Sequence, residues 1–399
     1  MKNMVYIQSG GPTSVINSSL YGAYKEASLH PEEIDHIYGS INGVEGLIED
    51  KLFDLKAEDP HQVELLKQTP GAALGTTRRK LPKDIDDPIY MEIVKNLKKH
   101  NIGYVFVNGG NDSMDTCNKL SILANKLNLD IRVMGVPKTI DNDLACTDHT
   151  LGFSSAAKAV INQIYAVSKD ALCYKVGKTH IIEVMGRNAG WLTAAADLVP
   201  EDGHPDLIYL PEMKFDIEEF VKEVEKIHQE KGYGIVVVSE GLQFERQGKN
   251  EVDSFGHAQL SGTGLALSEI LEQRLGLKSR VVELSILQRA NPFLLSLTDR
   301  DEAIDVGRFA VKAALEGTTG KMVIIKRLSS TPYVTKLELA NLDLVANAEQ
   351  KVPESMMLNH HRMADSFREY LRPLIQGNVE LSYKDGIVEL TTFKKEIVK

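Results

Sequence analysis

The chain has 399 residues, enough for two or three domains with a substantial core, and its 43% hydrophobic and 26% charged content is ordinary for a globular protein. A formal net charge of −10 argues against nonspecific nucleic-acid binding but leaves a small anionic ligand open, because local fields decide that. Cys117, Cys146 and Cys173 form no CxxC pair, so neither a disulfide framework nor a zinc site is suggested; with no secretion-type leader and no run near the roughly 18 apolar residues of a spanning helix, the expectation is a cytoplasmic protein with no membrane partner.

In chain order, residues 4–8 predict a strand and 15–28 the helix after its turn. Strand 104–108 precedes a helix over 112–127, and strand 133–137 precedes a helix over 154–169. Further strands are predicted at 181–184, 207–210, 235–239, 281–284 and 322–325, with helices at 218–230, 264–275 and 302–316. Continuous apolar strands of this kind read as parallel and covered on both faces, and the alternation implies doubly wound α/β layers. The strands are too many for one sheet with a single site. The expected fold is α/β, with two Rossmann-like lobes, a cleft between them and a boundary near 150–155. Beyond about 327 a polar extension carries one amphipathic helix at 361–374 and a terminal hairpin at 381–392, turning at Asp385-Gly386.

The informative clusters all follow predicted strands, and open parallel sheets bind ligands at such ends. Ser9-Gly10-Gly11-Pro12-Thr13 and Asn108-Gly109-Gly110-Asn111-Asp112-Ser113 each lead from strand to helix. Glycine allows close approach to a ligand and a helix N-terminus attracts anions, although a Gly-Gly turn also serves as a plain connector. Asp112 reads as an N-cap contributing about 1 kcal/mol, or as a site residue. Lys138-Thr139-Ile140-Asp141-Asn142-Asp143 holds more charge than a turn requires. Its functional reading is a base, Asp141, that takes a hydroxyl proton, beside a cation, Lys138, that neutralises a transferring phosphoryl group. Arg187, in Met185-Gly186-Arg187, reads as a surface ion pair or a phosphate ligand, and Glu240 as a sugar ligand or a helix cap. Arg78, Arg280 and the pair Gln288-Arg289 add groups that can grip phosphate.

Taken in order over roughly 1–327, these residues resemble the phosphofructokinase family. The resemblance implies a donor-binding lobe at 1–153, completed by part of 287–312, a sugar-phosphate lobe at 154–327, and an extension at 328–399 outside the core. It implies Asp141 as the base acting on the sugar 1-hydroxyl, with Thr139 and Asp143 beside it in the transfer site. Gly10, Gly11, Arg78 and Gly110 would hold the donor. Met185, Gly186, Arg187, Glu240 and Gln288 would hold the sugar, and Arg280 and Arg289 its 6-phosphate. Lys178 falls where the family often has an arginine reaching into a neighbouring subunit's site, implying a homodimer or homotetramer. Mg2+ is the expected cofactor.

Members that use ATP have glycine at the positions of Asp112 and Lys138; members that use pyrophosphate have aspartate and lysine. A carboxylate at 112 would take the space and charge of a nucleotide α-phosphate. The expected reaction is therefore reversible phosphoryl transfer between pyrophosphate and fructose 6-phosphate, with an ATP-dependent phosphofructokinase as the alternative. Other Gly-Gly-Asp kinases would lack the second-lobe residues, and a silent sugar-phosphate sensor would not need Asp141. Three positions depart from the pattern: Asn111 stands in place of a metal-linked aspartate, Ile286 in place of a sugar-side His or Tyr, and Tyr21 in place of an effector-binding arginine.

Overall fold

The apolar runs form strands buried on both faces. Met4 and Tyr6 pack into one core and Val5 and Ile7 into the core on the other side of the same sheet, so period-2 alternation feeds two hydrophobic layers at once. In the computed structural model, which describes residues 1–244, 262–346 and 348–399, the strands are β1 (Lys2–Gln8), β2 (Ile34–Ser40), β3 (Leu52–Asp54), β4 (Ile102–Gly109), β5 (Arg132–Pro137), β6 (Thr179–Val184), β7 (Leu207–Tyr209), β8 (Gly234–Ser239), β9 (Ser279–Glu283), β10 (Lys321–Ser330) and β11 (Tyr333–Asn341), followed by the short β12 (Tyr383–Lys384) and β13 (Ile387–Val388).

Two sheets result. The first runs β11-β10-β5-β4-β1-β2-β3, parallel except for its two edge strands, β3 and β11. The second runs β7-β8-β6-β9 and is wholly parallel. Helices Ile16–Ala27, Asn111–Lys126, Phe153–Ala171, Ile217–Lys231, Thr263–Leu275 and Leu297–Leu315 connect and cover them, each within a few residues of its predicted span.

The expected limits for the second lobe, 154–327, do not hold at their far end. β10 joins the first sheet, pairing Lys321 with Met134 and Met322 with Gly135. The reason is the preceding helix. Leu297–Leu315 crosses back onto Ile16–Ala27, and two glycines let the backbones touch: a Cβ at Gly22 would lie 2.0 Å from the Ile304 carbonyl oxygen, and one at Gly307 2.0 Å from that of Ser19. Everything after this crossing begins from the first lobe.

The extension is also more structured than its polarity suggests. β11 continues the first sheet. Helix Asp365–Leu371, shorter than the expected 361–374, buries Phe367 and Leu371 in the second lobe's core, where Trp191 stacks on Phe367 with centroids 6.4 Å apart. β12 and β13 form the expected hairpin at Asp385-Gly386, with both turn residues at positive φ. The last residues return to the first lobe, where Phe393 packs on Phe53 and the Val398 amide donates to the Leu52 carbonyl at 2.9 Å.

Candidate active site

Three consecutive turns at the carboxyl ends of β1, β4 and β5 build one wall of a cleft of about 680 Å³. Gly10 adopts φ +79°, which suits glycine, and its amide donates to the Thr77 carbonyl at 3.0 Å. The Thr76 hydroxyl closes the same contact from the other side, donating to the Gly10 carbonyl at 2.8 Å, so the loop bearing Arg78 is pinned to the first turn. Helix Asn111–Lys126 is capped by Gly110, so Asp112 is not the N-cap. It sits in the first turn, where the helix dipole favours its charge, and Lys80 pairs with it at 3.0 Å.

After β5, the Lys138 ammonium lies against the first turn, donating to the Ser9 carbonyl at 2.8 Å and the Gly11 carbonyl at 2.6 Å. Burial pushes this ammonium down to about 7, with Asp141 pulling it partway back. The Thr139 hydroxyl both donates to Asp141 Oδ2 at 3.3 Å and accepts from the Asp141 amide at 3.1 Å, fixing the carboxylate's direction. Burial raises Asp141, opposed by Thr139 and Lys138; burial and the neighbouring Asp141 push Asp143 up to about 7. Asn142, between them, takes the left-handed conformation at φ 56° and is itself buried. Both flanking carboxylates therefore line the cleft while the residue that joins them does not.

The facing wall comes from the second lobe. Met185, Arg187 and Glu240 line it; burial raises the Glu240 carboxyl, whose Oε1 accepts from the Gly186 amide at 3.3 Å. Gly186 and Gln288 stand behind the wall, where the Gln288 side chain accepts from the Met185 amide at 3.3 Å. Arg289 lies beside Gly11, with its guanidinium lowered by burial and by Arg78, which lines the same cleft. Lys178 and Arg280 do not join it. They flank His180 at the opposite end of the second sheet, and Arg280 pairs with Asp170 at 3.3 Å. Ile286 is exposed and Tyr21 is buried, its hydroxyl donating to Glu64 at 3.0 Å.

The cleft residues Arg79, Asn188, Ala189, Gln243 and Glu349 were not read from the sequence. Glu349, in the extension, bonds Asn188 at 2.8 Å and helps raise Asp143; the neighbouring Gln350 amide donates to the Asp143 carbonyl at 2.8 Å. No local pattern marks it.

Among the described residues no group of three His, Cys, Asp or Glu could hold a metal. A hydrated divalent cation carried by a polyphosphate needs no such cage, only one or two protein oxygens. Asn111 offers one: its Oδ1 is buried in the cleft wall without a hydrogen-bond partner. The residues present therefore fit such an ion.

A family model described as phosphofructokinase matches residues 3–314. The chain is 37% identical to a pyrophosphate–fructose 6-phosphate 1-phosphotransferase of Halomonas elongata, across all of this chain and 97% of that protein. It is 39% identical to a protein of the same description from Xanthomonas campestris, across 99% of this chain and 97% of the relative. Among solved structures, a pyrophosphate-dependent phosphofructokinase from Marinobacter aquaeolei superposes with a TM-score of 0.91 at 37% identity, covering this whole chain and 98% of the other.

Proposed function

The chain belongs to the phosphofructokinase family, and we propose that it catalyses reversible phosphoryl transfer from pyrophosphate to the 1-hydroxyl of fructose 6-phosphate, giving fructose 1,6-bisphosphate and phosphate. The observation that carries this reading is that Asp112 and Lys138 both line the donor wall of one cleft. The carboxylate repels a nucleotide α-phosphate, while the lysine, with two of its three donors on backbone carbonyls, keeps one for the smaller donor.

Asp141, aimed by Thr139, accepts the proton of the attacking 1-hydroxyl as the new O–P bond forms and the bond to the leaving phosphate breaks. Lys138, Arg78 and Arg289 offset the charge on the transferring group and the departing phosphate. Arg187 and Glu240 position the sugar from the second lobe. Mg2+ entering with pyrophosphate would supply further charge neutralisation, met by Asn111 through water. Lys178 and Arg280 serve the sugar-phosphate site of an adjoining copy, in a homodimer or homotetramer. The assignment to the cytoplasm accords with three unpaired cysteines and with the absence, among the described residues, of a helix long and apolar enough to cross a membrane.

The test is a coupled assay with fructose 6-phosphate, Mg2+ and either donor. Pyrophosphate is expected to support turnover in both directions. Faster turnover with ATP than with pyrophosphate would overturn the donor assignment.

A further inference from the structure

We propose that Tyr370, in the extension beyond the matched family region, is a positioning residue for the catalytic turn. This rests on the reading of Asp141 as the base. The Tyr370 hydroxyl accepts from the Asn142 side-chain amide at 2.8 Å and donates to the Asp148 carbonyl at 2.9 Å. Asn142 is held at its other end too, its Oδ1 accepting from the Thr150 amide at 2.9 Å.

Asn142 is 1% exposed and sits at positive φ between Asp141 and Asp143. Outside glycine this conformation is uncommon; asparagine tolerates it better than most residues, and it persists where the surroundings hold it. The two side-chain bonds supply that constraint. They hold the one residue whose backbone rotation sets the angle between the two cleft carboxylates.

Tyr370 is itself braced. Arg327 lies over its ring at 4.6 Å, donates to its carbonyl at 2.9 Å, and pairs with Asp148 at 2.8 Å. Trp191 packs against the Tyr370 ring itself, tilted by 44° with centroids 5.4 Å apart. A further strut from the extension, the Gln350 amide on the Asp143 carbonyl, acts on the same turn. The extension thus grips the turn at Asn142 and Asp143 while lying outside the cleft lining, except at Glu349.

Tyr370→Phe keeps the ring and its packing and removes only the hydroxyl. A displacement of the base by a fraction of an ångström is expected to lower kcat on the order of tenfold, with KM for both substrates within about twofold, because binding groups elsewhere are untouched. Leu374→Ala is the control. It loosens the same segment, whose Leu374 is fully buried, without touching Asn142, and should leave kcat near the parent value while lowering the unfolding midpoint. Asn142→Gly tolerates the left-handed backbone and removes the contact from its other end; combined with Tyr370→Phe it should lose little more than either alone. Hydrogen exchange at residues 139–144 should accelerate in Tyr370→Phe and not in Leu374→Ala. That readout is independent of turnover, so a parent inactive with pyrophosphate would count against the proposed function and still leave exchange to decide this inference. Unchanged kcat and exchange in Tyr370→Phe, equal losses in Leu374→Ala, or additive losses in the double variant would each overturn it.

Discussion

Removing the carboxylate of Asp112 tests the donor argument directly. Two unit charges about 4 Å apart interact by about 1 kcal/mol in water and about 4 kcal/mol at an effective dielectric near 20. The Asp112 side chain is 64% exposed, and Lys80 at 3.0 Å already offsets part of its charge. The watery end of that range therefore governs, and the expected penalty on a nucleotide α-phosphate is about 1–2 kcal/mol, or roughly five- to thirtyfold in affinity. Asp112→Gly should raise kcat/KM for ATP by that factor, and the gain should shrink as ionic strength rises, because exposed charges are screened. Glycine in the first helical turn costs up to about 1 kcal/mol of stability, so the assay is run well below the unfolding midpoint. A change in ATP kcat/KM of less than about twofold at low salt, in a folded variant, would refute the electrostatic account. Adding Lys138→Gly should depress pyrophosphate turnover, since the cation reserved for the small donor is gone.

Asp141→Ala should lower kcat by roughly 10²- to 10⁴-fold, the usual worth of a positioned general base, while fructose 6-phosphate still binds, as calorimetry would record. The acid limb of kcat/KM should fall near neutral pH, because burial raises Asp141 and raises Asp143 to about 7. Asp143→Asn removes one member of that pair and should move the limb to lower pH; a limb that stays in place would show that the pair is not what titrates. His149 lies fully buried between Asp148 at 2.9 Å and Glu302 at 2.7 Å; burial alone would push its imidazolium down, but Glu302 and Asp148 hold it up to about 9. A folded-state value above the unfolded one stabilises fully below about 6.5 and loses that contribution as pH climbs through 9, so the midpoint of the parent should drop over this window relative to His149→Gln. Equal slopes for the two proteins would exclude that role.

The legible parts of the fold are those with local causes. β1, β4 and β5 are continuous apolar runs, and the hairpin carries its turn in the dipeptide Asp385-Gly386. Helix Pro88–Lys99 went unpredicted although its start is marked: Pro88 opens it and the Asp87 side chain caps the Ile89 amide at 3.0 Å. β11 alternates partly buried and exposed residues along Tyr333–Lys336, a period-2 signal hidden in a segment taken for polar tail. The cleft turns were legible because glycine pairs and excess charge are visible in a few consecutive residues. Glu349 and Tyr370 were not, since their partners lie far off in the chain: Asn142 and Tyr370 are 228 residues apart. Nothing near residue 370 encodes that contact except an amphipathic pattern, which says only that one face is buried. The placement of β10 failed for a related reason, because Gly22 and Gly307 direct the crossing only once both helices exist.

The charge balance of the cleft gives Asn111 a rationale that the family pattern withholds. Asp141, Asp143, Glu240 and Glu349 already line one cavity against Lys138, Arg78, Arg187 and Arg289. Burial has raised three of those carboxyls and lowered Lys138 and Arg289, so the cleft holds its charges at a cost on both sides. Two anionic substrates entering together push the carboxyls up further, which strengthens Asp141 as a base but also favours its premature protonation. An aspartate at 111 would add another anion to the cleft wall, next to Gly110, where an added Cβ would lie 3.6 Å from the Lys138 carbonyl oxygen and 3.7 Å from Thr139 Cβ. A neutral amide leaves an oxygen available without that added charge. Asn111→Asp should accordingly shift the acid limb of kcat/KM to higher pH while tightening the apparent affinity for a divalent cation. Movement of the limb to lower pH would show that Asp141 does not sense the charge at position 111.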